Sequence, residues 1–239
     1  AHVVYPTAAA RSTGSGVLQL IRGQDLPTQS VCNWSTAVKP YTRRSRSRAD
    51  QRVLFYCDTN SVDDCASLVS RIVVELSRSL TGTRVHLLSA KTWSRRDRKL
   101  LRDICAQSDG RITCSQQQGI ADILSLMMEV DWLVLPGVRA NFGLLVRYAN
   151  AFGLPVACYD VDPYSELVTD EHNGILVPCE TYANALGVPS AIPSAIAFAR
   201  RLIDSVGNVR LYNHMRSGDW RLEEADEEFR KFWTYQLDL

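Results

Sequence analysis

Between Asp131 and Ala157 the chain passes through four backbone elements in 27 residues, and that compression restricts what it can fold into. Trp132-Leu133-Val134-Leu135 is a short apolar run stopped by Pro136. Asn141-Phe142-Gly143-Leu144 opens a helical pattern that reaches Phe152, and Gly153-Leu154-Pro155 leads into a second apolar run beginning Val156-Ala157. Strand, turn, helix and strand in this order make a β-α-β unit, whose two strands lie parallel in one sheet. Strand runs that are apolar throughout, without polar alternation, belong to parallel sheets covered on both faces.

The same rhythm extends from Arg52 onward. Strands are expected at Arg52 to Cys57, Arg84 to Ser89, Arg111 to Cys114, Trp132 to Leu135, Pro155 to Tyr159 and Ile175 to Val177. Helices are expected between them at Val62 to Leu80, Ser94 to Gln107, Gly119 to Glu129, Gly143 to Phe152 and Ser165 to Thr169. In the first of these, Leu68, Ile72, Val73 and Leu76 recur at three-to-four spacing. After the sheet the pattern predicts helices only, near Pro193 to Ser205, Asn208 to Met215 and Asp219 to Tyr235. The fold class is therefore α/β, a Rossmann-like doubly wound parallel sheet followed by C-terminal helices, in a domain over residues 52–217.

Residues 1–51 break that rhythm. His2-Val3-Val4-Tyr5-Pro6 predicts a single strand, and Arg22 to Arg52, rich in Ser, Thr, Gln and Arg, reads as a long basic loop or linker. The run Arg43-Arg44-Ser45-Arg46-Ser47-Arg48 lacks the interleaved aromatics of a nucleic-acid site beyond Tyr41, so a solvated loop is the preferred reading over nucleic acid, with peripheral contact to an anionic membrane left open. Arg95, Arg96, Arg98, Lys99 and Arg102 are assigned to the wet face of a helix whose Leu100, Leu101 and Ile104 turn inward. With 22% charged residues and a net charge of +1, the chain as a whole demands no acidic partner.

Seven cysteines without a C-x-x-C pair argue against a disulfide framework or zinc site and are read as buried, reduced thiols. His2, His86, His172 and His214 show no ligand spacing, so no metal is assigned. No stretch reaches the roughly 18 apolar residues of a membrane span, and the first residues lack a signal-peptide core, which leads to a cytoplasmic expectation. Gly14-Ser15-Gly16 falls short of a dinucleotide fingerprint, and neither a phosphate-binding P-loop nor a nucleophile elbow is found.

Chemistry concentrates where the helix opens after Leu135. A helix N-terminus presents unpaired N–H groups and the positive end of the helix dipole, a ready receptor for a diphosphate beyond the carboxyl ends of parallel strands. Phe142, Gly143 and Leu144 would offer those amides, with Gly143 allowing close approach.

Several segments carry a resemblance. The stretch from Asp131 to Ala157 is similar to the acidic/Pro … Phe-Gly … Ala-x-Ala-x-Gly-x-Pro-Val signature in the C-terminal half of retaining GT-B glycosyltransferases of the group-one, family-four type. Glu166 to Val177 matches that family's Glu-x-Val-x-Asp-x-x-Asn-Gly-x-Leu-Val run. Val3-Val4-Tyr5-Pro6 looks like its linker strand, Asp122 to Asp131 like the helix and strand before its Pro-Ser turn, and Gly218-Asp219-Trp220 with the acidic segment after it like its closing helix, here residues 218–239. The resemblance implies a nucleotide-diphosphate sugar as substrate, no metal or other cofactor, and an N-terminal GT-B half or partner protein to bring the acceptor. Carried onto this chain, it places Arg139, Asn141, Phe142, Gly143 and Leu144 at the phosphates, Tyr148 at the ribose, Glu166 near the sugar, and the backbone around Thr113 to Ser115 at the base.

Two departures bear on activity. The family's paired glutamates, eight positions apart, are replaced by Ala140 and Tyr148. A carboxylate accepts two charge-assisted hydrogen bonds, while alanine accepts none and a tyrosine hydroxyl one. At roughly 1.5–3 kcal/mol each, losing both would weaken donor binding by two orders of magnitude or more. In addition Asp58, Asp63 and Asp64 follow the first strand where phosphate-gripping cations are expected. Two functions stay open: a donor-binding glycosyltransferase half, and a catalytically degenerate GT-B domain kept as a structural or regulatory module.

Overall fold

The structure, a computed structural model, describes residues 2–5, 28–31, 51–57, 65–89, 93–116, 120–138, 143–183 and 189–217. Two strands precede the main sheet: β1 (His2–Tyr5) and β2 (Thr28–Val31) pair in parallel, His2 opposite Thr28 and Tyr5 opposite Val31. The main sheet is built from β3 (Arg52–Cys57), β4 (Arg84–Ser89), β5 (Ile112–Gln116), β6 (Trp132–Leu135), β7 (Val156–Tyr159) and β8 (Gly174–Val177). All six run parallel, in the spatial order β5-β4-β3-β6-β7-β8.

Helices α1 (Cys65–Ser79), α2 (Arg95–Ala106), α3 (Ile120–Glu129), α4 (Leu144–Ala151) and the short α5 (Tyr164–Leu167) connect the strands. An antiparallel hairpin, β9 (Glu180–Ala183) and β10 (Pro189–Ile192), separates the sheet from α6 (Ala195–Val206) and α7 (Val209–Ser217). The helix starts are written locally. Ser94 Oγ accepts from Asp97 N at 3.1 Å and donates to the Asp97 carboxylate at 2.6 Å, while Ser194 Oγ caps α6 by accepting from Ala197 N at 3.3 Å.

Burial follows from the pleat. Val53, Phe55, Leu87, Trp132, Val134 and Tyr159 point to one face, where they meet Ile72, Val73 and Leu76 of α1 and Phe198 and Leu202 of α6. Leu54, Leu88, Leu133, Leu135 and Val156 point to the other, against Ile123 and Met127 of α3 and Val146 and Ala149 of α4. Every residue of β6 and β7 is buried, as the unbroken apolar runs require. Each large aliphatic side chain so enclosed contributes about 1.5–3 kcal/mol. At the N-terminal edge Asp131, also buried, accepts from the Arg52 amide at 2.9 Å and the Tyr212 hydroxyl at 3.2 Å, tying β3, β6 and α7 together.

Three of the six expected sheet strands have the anticipated boundaries and the others differ by one or two residues at an end. Two expectations fail. Thr28–Val31, placed in a loop, is a strand, and the segment after the sheet contains a hairpin as well as helices. Thr28-Gln29-Ser30-Val31 has one apolar residue and Pro189-Ser190-Ala191-Ile192 opens on a proline, which a strand tolerates at its first position. Neither carries the alternation that marks a strand. The expected helix at Asp219 to Tyr235 lies outside the described residues, as does the arginine run at 43–48.

Tyr159 ends β7 with its ring edge-on to Phe198, centroids 4.8 Å apart, and its buried hydroxyl finds no hydrogen-bond partner among the described residues. Removing an unsatisfied buried hydroxyl while keeping the ring relieves a desolvation cost. Tyr159→Phe is therefore expected to leave stability unchanged or raise it by about 1 kcal/mol in urea unfolding; a loss of that size would show that the hydroxyl is bonded in solution.

Candidate functional site

The strand order reverses between β3 and β6. The chain works outward from β3 through β4 to β5, then crosses back to lay β6 on the other side of β3. Carboxyl ends of strands on either side of such a switch point diverge and leave a crevice. The described residues that follow the strand ends there are Pro136, Gly137 and Val138 after β6, the first turn of α4, and Asp160 to Leu167 after β7, with Cys57 closing β3.

Gly143 sits at the head of α4 in the left-handed conformation, φ 64° and ψ 18°, and as a glycine it offers no side chain to cap the helix. The first internal bond runs from Arg147 N to Gly143 O at 3.2 Å, so the amides of Leu144, Leu145 and Val146 precede the helical ladder. Leu144 itself is 44% exposed at this open end. Glycine is favoured here by the backbone conformation, and a Cβ at this position would also force the Cδ1 of Leu167 in α5 to shift. That contact brings α5, and with it Glu166, to the head of α4. Glu166 and Leu144 are exposed, and Tyr148, half-buried, lies one helical turn below Leu144.

On the far side of the switch point, Leu88, Ser115, Gln116, Asp122 and Ser125 line an open cleft of about 470 Å³ between the ends of β4 and β5 and the first turns of α3. This is within the usual range of small-molecule sites. At the strand spacing of about 4.8 Å, the three steps from β5 to β6 cover roughly 14 Å. Ser115 lies in the cleft; Thr113 lies three residues before the end of β5, on the sheet face. Both hydroxyls are engaged by His86 of β4, whose Nδ1 is 2.8 Å from Thr113 Oγ1 and whose Nε2 is 2.8 Å from Ser115 Oγ.

Burial lowers the pKa of His86 below its ordinary 6.5, so the folded protein prefers the neutral ring. The unfolded chain then binds the proton more readily, and stability is full above pH 6.5 and declines as pH falls below it toward the depressed folded value. Thermal unfolding between pH 7.5 and 5 should show this decline in the wild type and a shallower one in His86→Gln. Parallel curves would remove His86 as its source.

The exposed side chains near the carboxyl ends of the strands include four acids: Asp122 at the cleft beside β5, and Asp160, Asp162 and Glu166 after β7. Burial first, and then Asp160 and Asp170, hold the Cys158 thiol well above its ordinary range, and burial with Asp160 raises Cys179 as well. At the opposite edge the Asn173-Gly174 pair is structural. Asn173 accepts from Thr169 N at 2.7 Å and donates to Leu167 O at 2.9 Å, and a Cβ on Gly174 would strike the Val156 carbonyl. Asp170 and Glu171 each pair with Arg201 of α6 at 2.9 Å.

Of the expected site residues, Gly143, Leu144 and Glu166 lie around the head of α4, Tyr148 one turn further along that helix, and Ser115 in the separate cleft at the ends of β4 and β5, with Thr113 deeper in β5. Arg139, Asn141 and Phe142 lie outside the described residues, as do Ala140 and the acidic segment 58–64. Sequence reasoning missed Gln116, Asp122 and Ser125, whose only signal was proximity to the end of β5 and the start of α3. It also missed the approach of His172 to His214, ring centroids 6.1 Å apart. Two further expectations need correction. Cys114 is exposed and Cys105 half-buried, because β5 is an edge strand, and Cys179, just past β8 at the opposite edge, is half-buried; Leu100 is 37% exposed while Leu101 alone of its neighbours is fully inside. Among the described residues no helix is long and apolar enough to cross a membrane, and no group of three or more His, Cys, Asp or Glu could hold a metal ion.

Residues 51–188 match the family model described as glycosyl transferases group 1. No curated protein sequence matches the chain. Among solved structures it is similar to the C-terminal domain of the glycosyl transferase group 1 family protein LpcC from Francisella tularensis, with 14% identity and a TM-score of 0.61 over 81% of this chain and 98% of that one. It is also similar to Anabaena Alr3699/HepE in complex with UDP and glucose, with 14% identity and a TM-score of 0.70 over 99% of this chain and 63% of that one. The pneumococcal O-GlcNAc transferase GtfA, in complex with UDP and GlcNAc, gives 16% identity and a TM-score of 0.68 over 99% and 44%. Likenesses at this identity establish the fold. The chain spans less than two thirds of HepE and less than half of GtfA, but nearly all of the isolated LpcC domain.

Proposed function

The chain belongs to the group 1 glycosyltransferases, and on that premise we propose that it is the donor half of a sugar-nucleotide transferase, acting with an N-terminal half or a partner subunit that presents the acceptor. The observation that carries this reading is the N-terminus of α4, headed by Gly143 with no capping side chain of its own, which follows β6 at the switch point of a parallel sheet. In this reading the diphosphate rests on the amides of Phe142 to Leu144, with Arg139 and Asn141 beside it. The sugar lies toward Glu166, the ribose toward Tyr148, and the base occupies the cleft at Ser115 and Gln116, a separation that an extended nucleoside diphosphate bridges.

Bond cleavage leaves negative charge on the departing diphosphate. Preorganised amides and a helix dipole stabilise that charge without reorganising as it develops, so the scheme calls for no metal. The acceptor hydroxyl comes from outside this domain.

A second reading, a GT-B module that binds no donor, is favoured by Ala140 and Tyr148 in place of glutamates and by the acids near the carboxyl ends of the strands. Calorimetric titration with UDP, GDP and their sugars separates the two. The donor reading expects saturable binding to one nucleotide series, strengthened when the acceptor half is supplied. Silence with every nucleotide, with and without that half, leaves the module reading.

A further inference from the structure

On the face of the sheet away from α3, Cys105 near the end of α2 and Cys114 on β5 bring their sulfurs to 3.1 Å. Neither residue is fully enclosed, and both line a cleft of about 340 Å³ whose other walls include Trp93 and the guanidinium-bearing Arg95, Arg98 and Arg102. Along α2 these three arginines fall on one stripe, at spacings of three and four residues. No ion pair is formed by any of them among the described residues.

The sulfur separation decides what the pair can do. Two thiolates at about 2.3 Å from a tetrahedral zinc stand roughly 3.8 Å apart, farther than is seen here. A disulfide at about 2.05 Å needs the two sulfurs to close by only about an ångström, within reach of side-chain rotation. We propose that Cys105 and Cys114 form a dithiol modification site, oxidised to an intramolecular disulfide by an anionic low-molecular-weight disulfide of the glutathione class that the three arginines attract into the cleft.

The exchange balances in two steps. The Cys105 sulfur attacks one sulfur of the small disulfide, forming a mixed disulfide and releasing one small thiolate, which takes up the proton that Cys105 lost. The Cys114 sulfur then attacks the Cys105 sulfur, breaks the mixed disulfide and expels the second small thiolate, which takes the Cys114 proton. Two protein thiols are oxidised, and one small disulfide is reduced to two thiols. In the reduced pair burial and the neighbouring Cys105 push the Cys114 thiol up to about 12, which disfavours Cys114 as the first attacker; in the second step the Cys105 thiol is gone and proximity drives the intramolecular attack. The product staples α2 to the edge strand that ends beside the base-side cleft.

The wild-type chain tests this in glutathione redox buffers at pH 8, with acid quench, alkylation and peptide mass spectrometry. The expected product is a linked Cys105–Cys114 peptide lighter by two hydrogens, with no accumulating glutathione adduct. Two alkylated cysteines, or a persistent mixed disulfide, would overturn the site. The anionic preference is read by comparing glutathione disulfide with cystamine, a cationic disulfide, each scaled to its rate with a free thiol. At low salt glutathione disulfide should be favoured by about tenfold, and the advantage should collapse in about 0.5 M salt. Equal scaled rates at low salt would overturn the role given to the arginines.

Discussion

Replacing Leu144 by aspartate is expected to reduce affinity for a nucleoside diphosphate by one to two orders of magnitude while leaving the protein as stable as before, or slightly more so. The two effects part because the side chain sits at the head of α4, 44% exposed and outside both core clusters. A carboxylate in the first turn of a helix complements its dipole and contributes about 0.3–1 kcal/mol. The same charge beside a bound diphosphate opposes it: two like unit charges about 6 Å apart at an effective dielectric near 20 repel by roughly 3 kcal/mol, about a hundredfold in affinity before salt screening. Calorimetry and thermal unfolding of the one variant read both quantities. Unchanged affinity with unchanged Tm would place the diphosphate away from α4.

Gly143→Ala is expected to act the other way, through the fold. The left-handed backbone costs a non-glycine residue about 1–2 kcal/mol, and the new methyl group must displace Leu167 at about 1–3 kcal/mol more. A total loss of about 2–5 kcal/mol corresponds to a Tm lower by roughly 4–20 °C for a domain of this size. Donor binding should fall with it, since Leu167 also holds α5 and Glu166 against the head of α4. For that reason a substitution at Gly143 cannot by itself distinguish a phosphate site from a packing position, and Leu144→Asp can. A Tm within a degree of the wild type would show that α5 moves away at no cost.

How much could be read before the structure depends on which physical signal each element carries. β6 and β7 are buried on both faces, so their sequences are apolar throughout and their boundaries follow almost directly. α1 was legible because Leu68, Ile72, Val73 and Leu76 mark one face at helical spacing. β2 and the β9–β10 hairpin were not, since short, mostly polar strands are stabilised by their pairing partners, and pairing leaves no periodicity in the chain itself.

For the site, Gly143 and its neighbours stood out through the strand-turn-helix pattern. The physical reasons for the glycine did not: they lie in its left-handed backbone and in the approach of Leu167, 24 positions away in sequence. Thr113 and Ser115 were named for their place in the chain, and only the register of β4 against β5 shows that His86 engages both hydroxyls. Cys105 and Cys114 meet because α2 folds back on an edge strand, an adjacency that no cysteine-spacing rule contains.

The most direct test of the central claim is a backbone amide NMR titration of the chain with UDP. The largest saturable shifts are expected on Leu144, Leu145 and Val146 at the head of α4, with a second set at Ser115 and Gln116. Saturable shifts confined to other amides, or none at millimolar UDP, would contradict the claim.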